Sequence, residues 1–260
     1  MYFTAPIGSE EERKTGQIWP GRWINATGFG EHYFLGYHTG ADLNLNYPHW
    51  DSDKHSDIFA IGDGVITCAK DFSVWGTIII IDHGTVDGNP VFSRYAHVEN
   101  CEVAVGQQVK TGELIAQVGN GDEEYPYHLH FDISTTDILR DNPAHWPGEN
   151  KDLVYAHYVD PREWLQAHVV GDPNYELPAT TLWHVINPRG VNVRKSHEIL
   201  PDNKVGILRR KDKILLEDTA FTHQDRYRWG RIFSGTFHGD WVAVATADQS
   251  KFFLSTQKPD

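Results

Sequence analysis

The sequence contains few cysteines, fewer basic than acidic residues, and no long hydrophobic run. Only Cys68 and Cys101 occur in 260 residues, and neither belongs to a Cys-x-x-Cys pair. Two thiols are too few for a disulfide framework or a thiolate zinc site, so both are interpreted as small hydrophobic residues. No apolar run approaches the roughly 20 residues that a membrane-spanning helix needs. The sequence therefore predicts no membrane span.

Basic residues are outnumbered by acidic ones, 23 against 36, which gives a formal net charge of -13. Because a surface that binds phosphates needs Lys and Arg, this charge argues against a nucleic-acid partner. Residues 1–170 carry 10 Lys/Arg against 25 Asp/Glu, whereas residues 171–260 carry 13 against 11. The two parts therefore differ in character.

The first residues lack the basic and then apolar pattern of a secretory signal. Met1-Tyr2-Phe3-Thr4 leads into an acidic, polar segment, and the polar, turn-rich residues 1–31 predict an irregular lead-in that lies over the first domain. We expect either that the protein acts in the compartment where it is made or that a signal has been removed.

Aromatic residues and glycine are abundant, with 9 Trp, 11 Tyr, 12 Phe and 23 Gly. This composition favours many short strands joined by tight turns, and so a mainly β fold. The run Ile78–Ile81 predicts a central strand covered on both faces. The strands predicted for the first part are Phe59–Ile61, Gly64–Lys70, Thr77–Asp82, Pro90–His97, Gln107–Lys110, Glu113–Val118 and His128–Ser134.

Composition also predicts where the domains end. Asp160-Pro161-Arg162-Glu163 predicts the start of a short helix, with Asp as N-cap and Pro in the first turn, which closes a first domain over residues 1–170. Residues 171–181 have the composition of a linker. Residues 182–260 are predicted to form a small β-barrel from the strands Leu182–Ile186, Val191–Arg194, Val205–Leu208, Lys213–Leu216, Trp229–Phe233 and Trp241–Ala245.

Two histidines, His128 and His130, lie two apart in a predicted strand and therefore point the same way. Such a pair can hold a metal, relay protons or do one of each. His38, Asp42 and His97 lie in the same predicted domain. A hydrolytic zinc site needs three His, Asp or Glu ligands and one open position for water. Three of these five residues can serve as ligands, which leaves two for protons; no His-Glu-x-x-His helix supplies a glutamate base.

Several short motifs follow one another in a recognisable order. They are His38-Thr39-Gly40-Ala41-Asp42-Leu43, Ala60-Ile61-Gly62-Asp63-Gly64-Val65, Tyr95-Ala96-His97, Gly106-Gln107-Gln108-Val109-Lys110-Thr111-Gly112 and His128-Leu129-His130-Phe131. Together they span roughly residues 36–134 and resemble the lysostaphin-type (LytM-like) zinc endopeptidases, which cut peptidoglycan.

The resemblance implies the fold, the cofactor and the role of each residue. It implies a folded antiparallel sheet of the duplicated hybrid motif, or barrel-sandwich, type. His38, Asp42 and His130 are then zinc ligands, and His97 and His128 are catalytic. Our hypothesis is that zinc supplies a hydroxide and polarises the scissile carbonyl, that His128 accepts the proton of the attacking water, and that His97 stabilises the oxyanion or protonates the leaving amine.

The second domain resembles a bacterial Src-homology-3-like module, on the basis of Val191-Asn192-Val193-Arg194, Lys204-Val205-Gly206-Ile207-Leu208 and Gly239-Asp240-Trp241-Val242. Such modules often bind the wall; the alternative is a barrel that only packs on the catalytic domain. The resemblances imply a periplasmic or extracellular location and a peptidoglycan peptide as partner. The alternative function is a non-catalytic relative that binds peptide or activates another hydrolase. Which bond is cut stays open.

Overall fold

The computed structural model describes residues 2–19, 22–46, 49–169, 172, 175–224, 226–233, 237 and 239–257. The chain divides into two units, Met1–Tyr175 and Glu176–Asp260. The predicted linker over residues 171–181 falls partly on residues 171, 173 and 174, which lie outside the described residues. The domain boundaries drawn from the sequence stay predictions.

The first unit is built mainly from antiparallel strands, which confirms the mainly β prediction. Its strands are β1 Ile24–Asn25, β2 His32–Tyr33, β3 Gly36–Tyr37, β4 Ala41–Asn44, β5 Asp57–Phe59, β6 Gly64–Phe72, β7 Gly76–Val86, β8 Asn89–Glu99, β9 Gln108–Val109, β10 Leu114–Val118, β11 Leu129–Ser134 and β12 Tyr158–Val159. Its helices are α1 Glu10–Lys14, α2 Ile138–Asp141, α3 Lys151–His157 and α4 Pro161–His168.

The main sheet of this unit has the strand order β1-β4-β11-β8-β7-β6-β9, with β12 beside β11 and β10 beside both β5 and β8. Neighbouring strands β6, β7 and β8 follow one another along the chain as hairpins, whereas β11 enters between β4 and β8. The middle of the sheet therefore joins segments that are distant in sequence, and that is where the histidines lie.

The four isoleucines of β7 confirm the prediction of a strand covered on both faces, since Ile78, Ile79, Ile80 and Ile81 are all fully buried. Side chains alternate between the two faces of a strand. Ile79 and Ile81 accordingly enter one hydrophobic cluster, and Ile78 and Ile80 enter another. Burial of each such side chain contributes on the order of 2 kcal/mol.

The N-terminal segment is more ordered than its composition suggests. The sequence predicts an irregular lead-in, but Phe3 and Ile7 are buried in the main core and the segment forms helix α1. Ser9 caps α1 with a reciprocal Ser9–Glu12 pair, a capping box that the sequence analysis does not predict. Helix α4 agrees with prediction, because the Asp160 side chain accepts hydrogen bonds from the Arg162 and Glu163 amides.

The two cysteines differ. Cys68 is buried, as a small hydrophobic residue would be, whereas Cys101 is exposed, so the interpretation of Cys101 was wrong. The charged sequence of residues 51–57 predicts a solvated turn, but one of its carboxylates is buried. Asp53 is fully buried and accepts a hydrogen bond from the Leu45 amide, and burial raises its pKa to about 6.

The described strands of the second unit form an antiparallel sheet of order β15-β14-β18-β17-β16-β13-β19. These strands are β13 Thr180–Val185, β14 Val191–Arg194, β15 Lys204–Leu208, β16 Lys213–Gln224, β17 Tyr227–Ile232, β18 Trp241–Thr246 and β19 Leu254–Ser255. All six strands predicted for this region have a counterpart. Its likeness to a Src-homology-3-like module stays a prediction. Among the described residues of the chain, no helix is long and apolar enough to cross a membrane.

His83 is a buried structural residue in the first unit. Its Nδ1 donates a hydrogen bond to the Asp63 carbonyl, and its Nε2 accepts one from the Ser93 hydroxyl. Burial lowers the pKa of His83 to about 4. The folded structure therefore contains the neutral form of the His83 ring, which bonds to Asp63 and Ser93.

We expect protonation of His83 to lower the free energy of unfolding in mild acid. Its pKa is lower in the folded state than the value of about 6.5 for an unfolded chain, so protons favour unfolding as the pH falls from about 6.5 to about 4. The loss from this residue is about 3 kcal/mol at pH 4. Urea unfolding across this range should give a flatter pH dependence for His83→Asn. The exposed His49→Asn should retain the wild-type slope, and equal slopes for all three proteins would contradict the prediction.

Candidate metal centre

The register of three strands brings together residues that are distant in sequence. On β11, His130 lies directly opposite Asp42 of β4 on one side and Ala96 of β8 on the other. His97 follows Ala96, and His38 lies in the loop that leads into β4. Cross-strand neighbours have their Cβ atoms about 5 Å apart, so the pairing alone places Asp42 beside His130.

Gly40 lets the loop before β4 approach β11 closely. A Cβ atom at this position would lie 2.2 Å from the Phe131 carbonyl oxygen and 2.5 Å from the Asp132 Cβ, closer than real atoms come. A side chain at residue 40 would therefore push the loop away from the sheet. His38, two residues earlier, depends on this close approach to reach His130.

Three ligand-type atoms form a compact triangle. His38 Nε2 lies 3.0 Å from Asp42 Oδ1 and 3.0 Å from His130 Nδ1, and the last two atoms are 3.1 Å apart. Ligands placed tetrahedrally at 2.0–2.1 Å from zinc lie about 3.3 Å from one another. The triangle is thus close to the size that such an ion requires, and the His-Asp-His group can bind a metal.

Hydrogen bonds on the far side of each ligand ring orient the near nitrogen. His38 Nδ1 lies 3.0 Å from the Gly40 carbonyl oxygen, and a carbonyl can only accept. His130 Nε2 lies 3.0 Å from a carboxylate oxygen of Asp132. Each of these nitrogens therefore carries the proton, which leaves a lone pair on His38 Nε2 and on His130 Nδ1. A hydrogen bond from the nitrogen that points away from the metal is typical of metal-binding histidines.

The charge state of the group also suits a cation. Burial by itself would raise the pKa of Asp42, but the adjacent His130 and His38 rings hold that pKa well below its usual range. The carboxylate is therefore ionised at neutral pH. Burial opposes protonation of His130, yet Asp132 and Asp42 raise its pKa overall, which reflects the excess of negative charge around that ring.

The other two histidines line the same cleft with one nitrogen free. His97 Nδ1 donates to the Trp75 carbonyl oxygen at 3.0 Å, and His128 Nδ1 donates to the Pro126 carbonyl oxygen at 2.8 Å. The two ring centroids are 4.7 Å apart. His128 Nε2 lies 3.7 Å from Asp42 Oδ1. Both Nε2 atoms are left as proton acceptors beside the triangle.

Burial keeps these two rings neutral. It lowers the pKa of His97 well below the ordinary value, with a further contribution from His128 and His130, and it lowers the pKa of His128 as well. A neutral imidazole is the form that can accept a proton. His128 lies just before β11, which begins at Leu129, so the expectation that it belongs to the strand was off by one residue.

The five histidine and aspartate residues predicted from the sequence are thus brought together in one place. Asp42, His97, His128 and His130 line an open cleft of about 370 Å³ whose walls are mainly aromatic and aliphatic, and His38 is buried behind it. The described residues that line it include no Lys or Arg. The wall residues besides the site itself are Thr27, Tyr33, Phe34, Leu35, Val74, Trp75, Tyr125 and Trp146.

Sequence reasoning missed the aromatic wall and the carboxylate behind His130. Trp75 and Trp146 come from loops with no motif around them, and their ring centroids are 5.7 Å apart in the cleft wall. Asp132 did carry a signal, because a residue two positions after a ligand on a strand points to the same face. That parity identifies it as a candidate partner of His130.

The fold and the site together define a mainly β protein with a His-Asp-His centre able to bind a metal and two neutral histidines beside it. Residues 36–142 match the sequence profile of peptidase family M23. This part of the first unit is therefore similar to a peptidase family M23 domain.

Known proteins of two kinds resemble this region. Peptidoglycan DD-endopeptidase ShyA of Vibrio cholerae is 30% identical over 109 residues, which are 42% of this chain and 23% of ShyA. Murein hydrolase activator EnvC of Escherichia coli is 30% identical over 97 residues, 37% of this chain and 22% of EnvC. The matches span less than a quarter of these relatives. The antimicrobial peptidase lysostaphin from Staphylococcus simulans aligns at a TM-score of 0.43 with 17% identity, over 93% of this chain and 95% of lysostaphin.

One wall of the cleft holds a strained residue, and relieving the strain should stabilise the protein. Val74 is 55% exposed and has φ 72°, a left-handed conformation that disfavours a β-branched side chain. Asn tolerates this region better, so Val74→Asn should raise the free energy of unfolding by about 1 kcal/mol in urea titrations. Val65 is 39% exposed but lies in β6, so Val65→Asn should not stabilise. Equal losses for both variants would contradict the assignment of strain.

Proposed function

We propose that the chain is a zinc endopeptidase that hydrolyses peptide bonds in peptidoglycan cross-bridges or stem peptides. The observation that carries the proposal is the convergence of three ligand atoms, within 3.1 Å of one another, beside two neutral histidines in one open cleft. His38, Asp42 and His130 would hold the zinc. Zinc, when bound, would lower the pKa of a water and polarise a carbonyl.

His128 and His97 then handle the protons. We assign to His128 the uptake of a proton from the attacking water, at Nε2, because its Nδ1 proton is already committed to the Pro126 carbonyl. Bond cleavage also requires a proton on the leaving amine. His97 Nε2 starts unprotonated, so it can donate only after it has gained a proton. The His128 imidazolium supplies this proton either directly or through His97 Nε2, which takes up the proton and then donates it to the leaving amine.

The substrate class follows from the cleft and from the relatives. Aromatic walls without a Lys or Arg suit a neutral, extended peptide segment more than one that presents a carboxylate at the scissile bond. ShyA is named as a peptidoglycan DD-endopeptidase, which supports a peptidoglycan peptide as the substrate. A periplasmic or extracellular wall location follows from that substrate.

A second function has one observation in its favour, the similarity to murein hydrolase activator EnvC. On that alternative the cleft binds a peptide or a partner without turnover. The complete set of His38, Asp42, His97, His128 and His130 argues for catalysis, since a purely binding cleft does not need three ligand atoms and two free imidazoles together.

The second unit is proposed to be a Src-homology-3-like module that binds the wall. Its described surface has a small pocket of about 180 Å³ lined in part by Arg194, Tyr227, Trp229 and Phe253. Aromatic rings and one cation can contact a peptide through apolar area and hydrogen bonds. The alternative, a barrel with no ligand, predicts no binding by this unit.

Zinc content should separate the proposed ligands from the proposed proton carriers. Asp42→Ala and His130→Ala each remove an atom of the triangle and should lose zinc, whereas His128→Ala should keep it. Elemental analysis of dialysed protein measures the stoichiometry, and the exposed His32→Ala is the control that should bind like wild type. Full zinc retention by Asp42→Ala would overturn the ligand assignment.

Turnover should distinguish an enzyme from an activator. Zinc-loaded wild type should lower the turbidity of purified walls and release peptide fragments that mass spectrometry identifies. His128→Ala and His97→Ala should slow this by about 10²–10⁴-fold, the usual contribution of a positioned acid or base. His55→Ala, a half-exposed histidine paired with Glu99, should stay near the wild-type rate. No fragment from any of several peptidoglycans would favour the activator.

A further inference from the structure

A buried carboxylate lies directly behind one member of the triangle. Asp132 is fully buried on β11, two residues after His130 and on the same face. One of its oxygens, Oδ2, accepts hydrogen bonds from His130 Nε2 at 3.0 Å and from the Thr39 hydroxyl at 2.8 Å. Removing a carboxylate from water is costly unless its charge and lone pairs are compensated.

Arg94 supplies that compensation from the neighbouring strand. It lies opposite Asp132 in the β8–β11 register and is likewise fully buried. Its Nε donates to Asp132 Oδ2 at 3.2 Å, and its Nη2 forms an ion pair with the same oxygen. Four donors therefore meet at Oδ2, whereas Asp132 Oδ1 is buried with no hydrogen-bond partner.

The remaining donor of Arg94 reaches a wall of the cleft. Its Nη1 donates to the carbonyl oxygens of Pro143 and His145, each at 3.0 Å. Trp146, the next residue, lines the cleft. The guanidinium also lies 4.4 Å from the ring centroid of Trp75, a second wall residue. One buried cation thus connects the carboxylate behind His130 with two aromatic walls.

The convergence on Oδ2 is more than a buried ion pair needs. A pair that only filled the core could be replaced by apolar residues at little loss, and its carboxylate would share donors between both oxygens. Here Asp132 Oδ1 has no hydrogen-bond partner, whereas Asp132 Oδ2, on which the four donors converge, accepts the hydrogen bond of His130. Gly40, Trp75 and Pro126 provide carbonyls to the other three rings, so among the four histidines only His130 has a carboxylate on its far nitrogen.

We propose that Asp132, held by Arg94 and Thr39, is a positioning residue that fixes His130 with its Nε2 protonated and its Nδ1 presented as the strongest nitrogen donor of the centre. The inference rests on the metal site proposed above. Its consequence is that metal affinity depends on a charge that never touches the metal. Partners of this kind typically change metal affinity by about 10–100-fold when they are lost.

Removal of the charge without loss of the shape tests the proposal. Asp132→Asn keeps an acceptor oxygen for the donors at Oδ2 but removes the negative charge. Zinc competition with a chromophoric chelator should give a dissociation constant about 10–100-fold higher than that of wild type. Ser134→Ala is the matched control: it removes a buried polar group from the same strand and face that bonds only to Thr136 and His157. It should bind zinc within about twofold of wild type.

A measurement on the unaltered protein covers the case in which Asp132→Asn does not fold. Nitrogen-15 NMR of zinc-loaded wild type should show a slowly exchanging proton on His130 Nε2 and a metal shift on Nδ1. A His130 ring without the Nε2 proton overturns the proposal, as does Asp132→Asn with wild-type zinc affinity. Wild type that binds no zinc overturns both this inference and the proposed function, whereas tight wild-type binding with no effect of Asp132→Asn overturns this inference alone.

Discussion

Holding three electron-rich atoms about 3 Å apart is the constraint on which the first unit depends. The Asp42 carboxylate and the lone pairs of His38 and His130 repel one another in a region with little water, where charges interact strongly. Flexible side chains would separate. The main sheet prevents this, because the backbone ladder between β4 and β11 fixes Asp42 opposite His130, and Gly40 keeps the preceding loop close.

Hydrogen bonds to the Nδ1 atoms of three of the histidine rings fix which nitrogen carries the proton. A backbone carbonyl can only accept, so a ring nitrogen beside it must carry the proton. His38, His97 and His128 each use such a carbonyl, and the direction of every free lone pair follows from the fold. No proton has to be relocated before chemistry begins, and the rings cannot rotate without breaking these bonds. This preorganisation is the usual source of electrostatic stabilisation in active sites.

Local rules and one family pattern made most strands and the five site residues predictable from the sequence. The alternating burial of β7 follows from four consecutive isoleucines, and the start of α4 follows from Asp160 and Pro161. The buried lead-in was not predictable in the same way, because Phe3 and Ile7 are isolated apolar residues whose partners lie far along the chain. The aromatic walls were missed for the same reason, since a loop residue has no periodicity to reveal its direction.

Trp75 shows why the metal centre and the cleft wall are not independent parts. Its carbonyl accepts the Nδ1 proton of His97, while its ring lies 5.3 Å from that of His130 and faces the guanidinium of Arg94. A change at residue 75 therefore alters the hydrogen bond of His97, the packing of His130 and the wall of the cleft at once. Phe34 lines the same cleft without these connections and is 85% exposed. The cleft wall is therefore free to vary at Phe34, whereas Trp75 is constrained by its contacts with His97, His130 and Arg94.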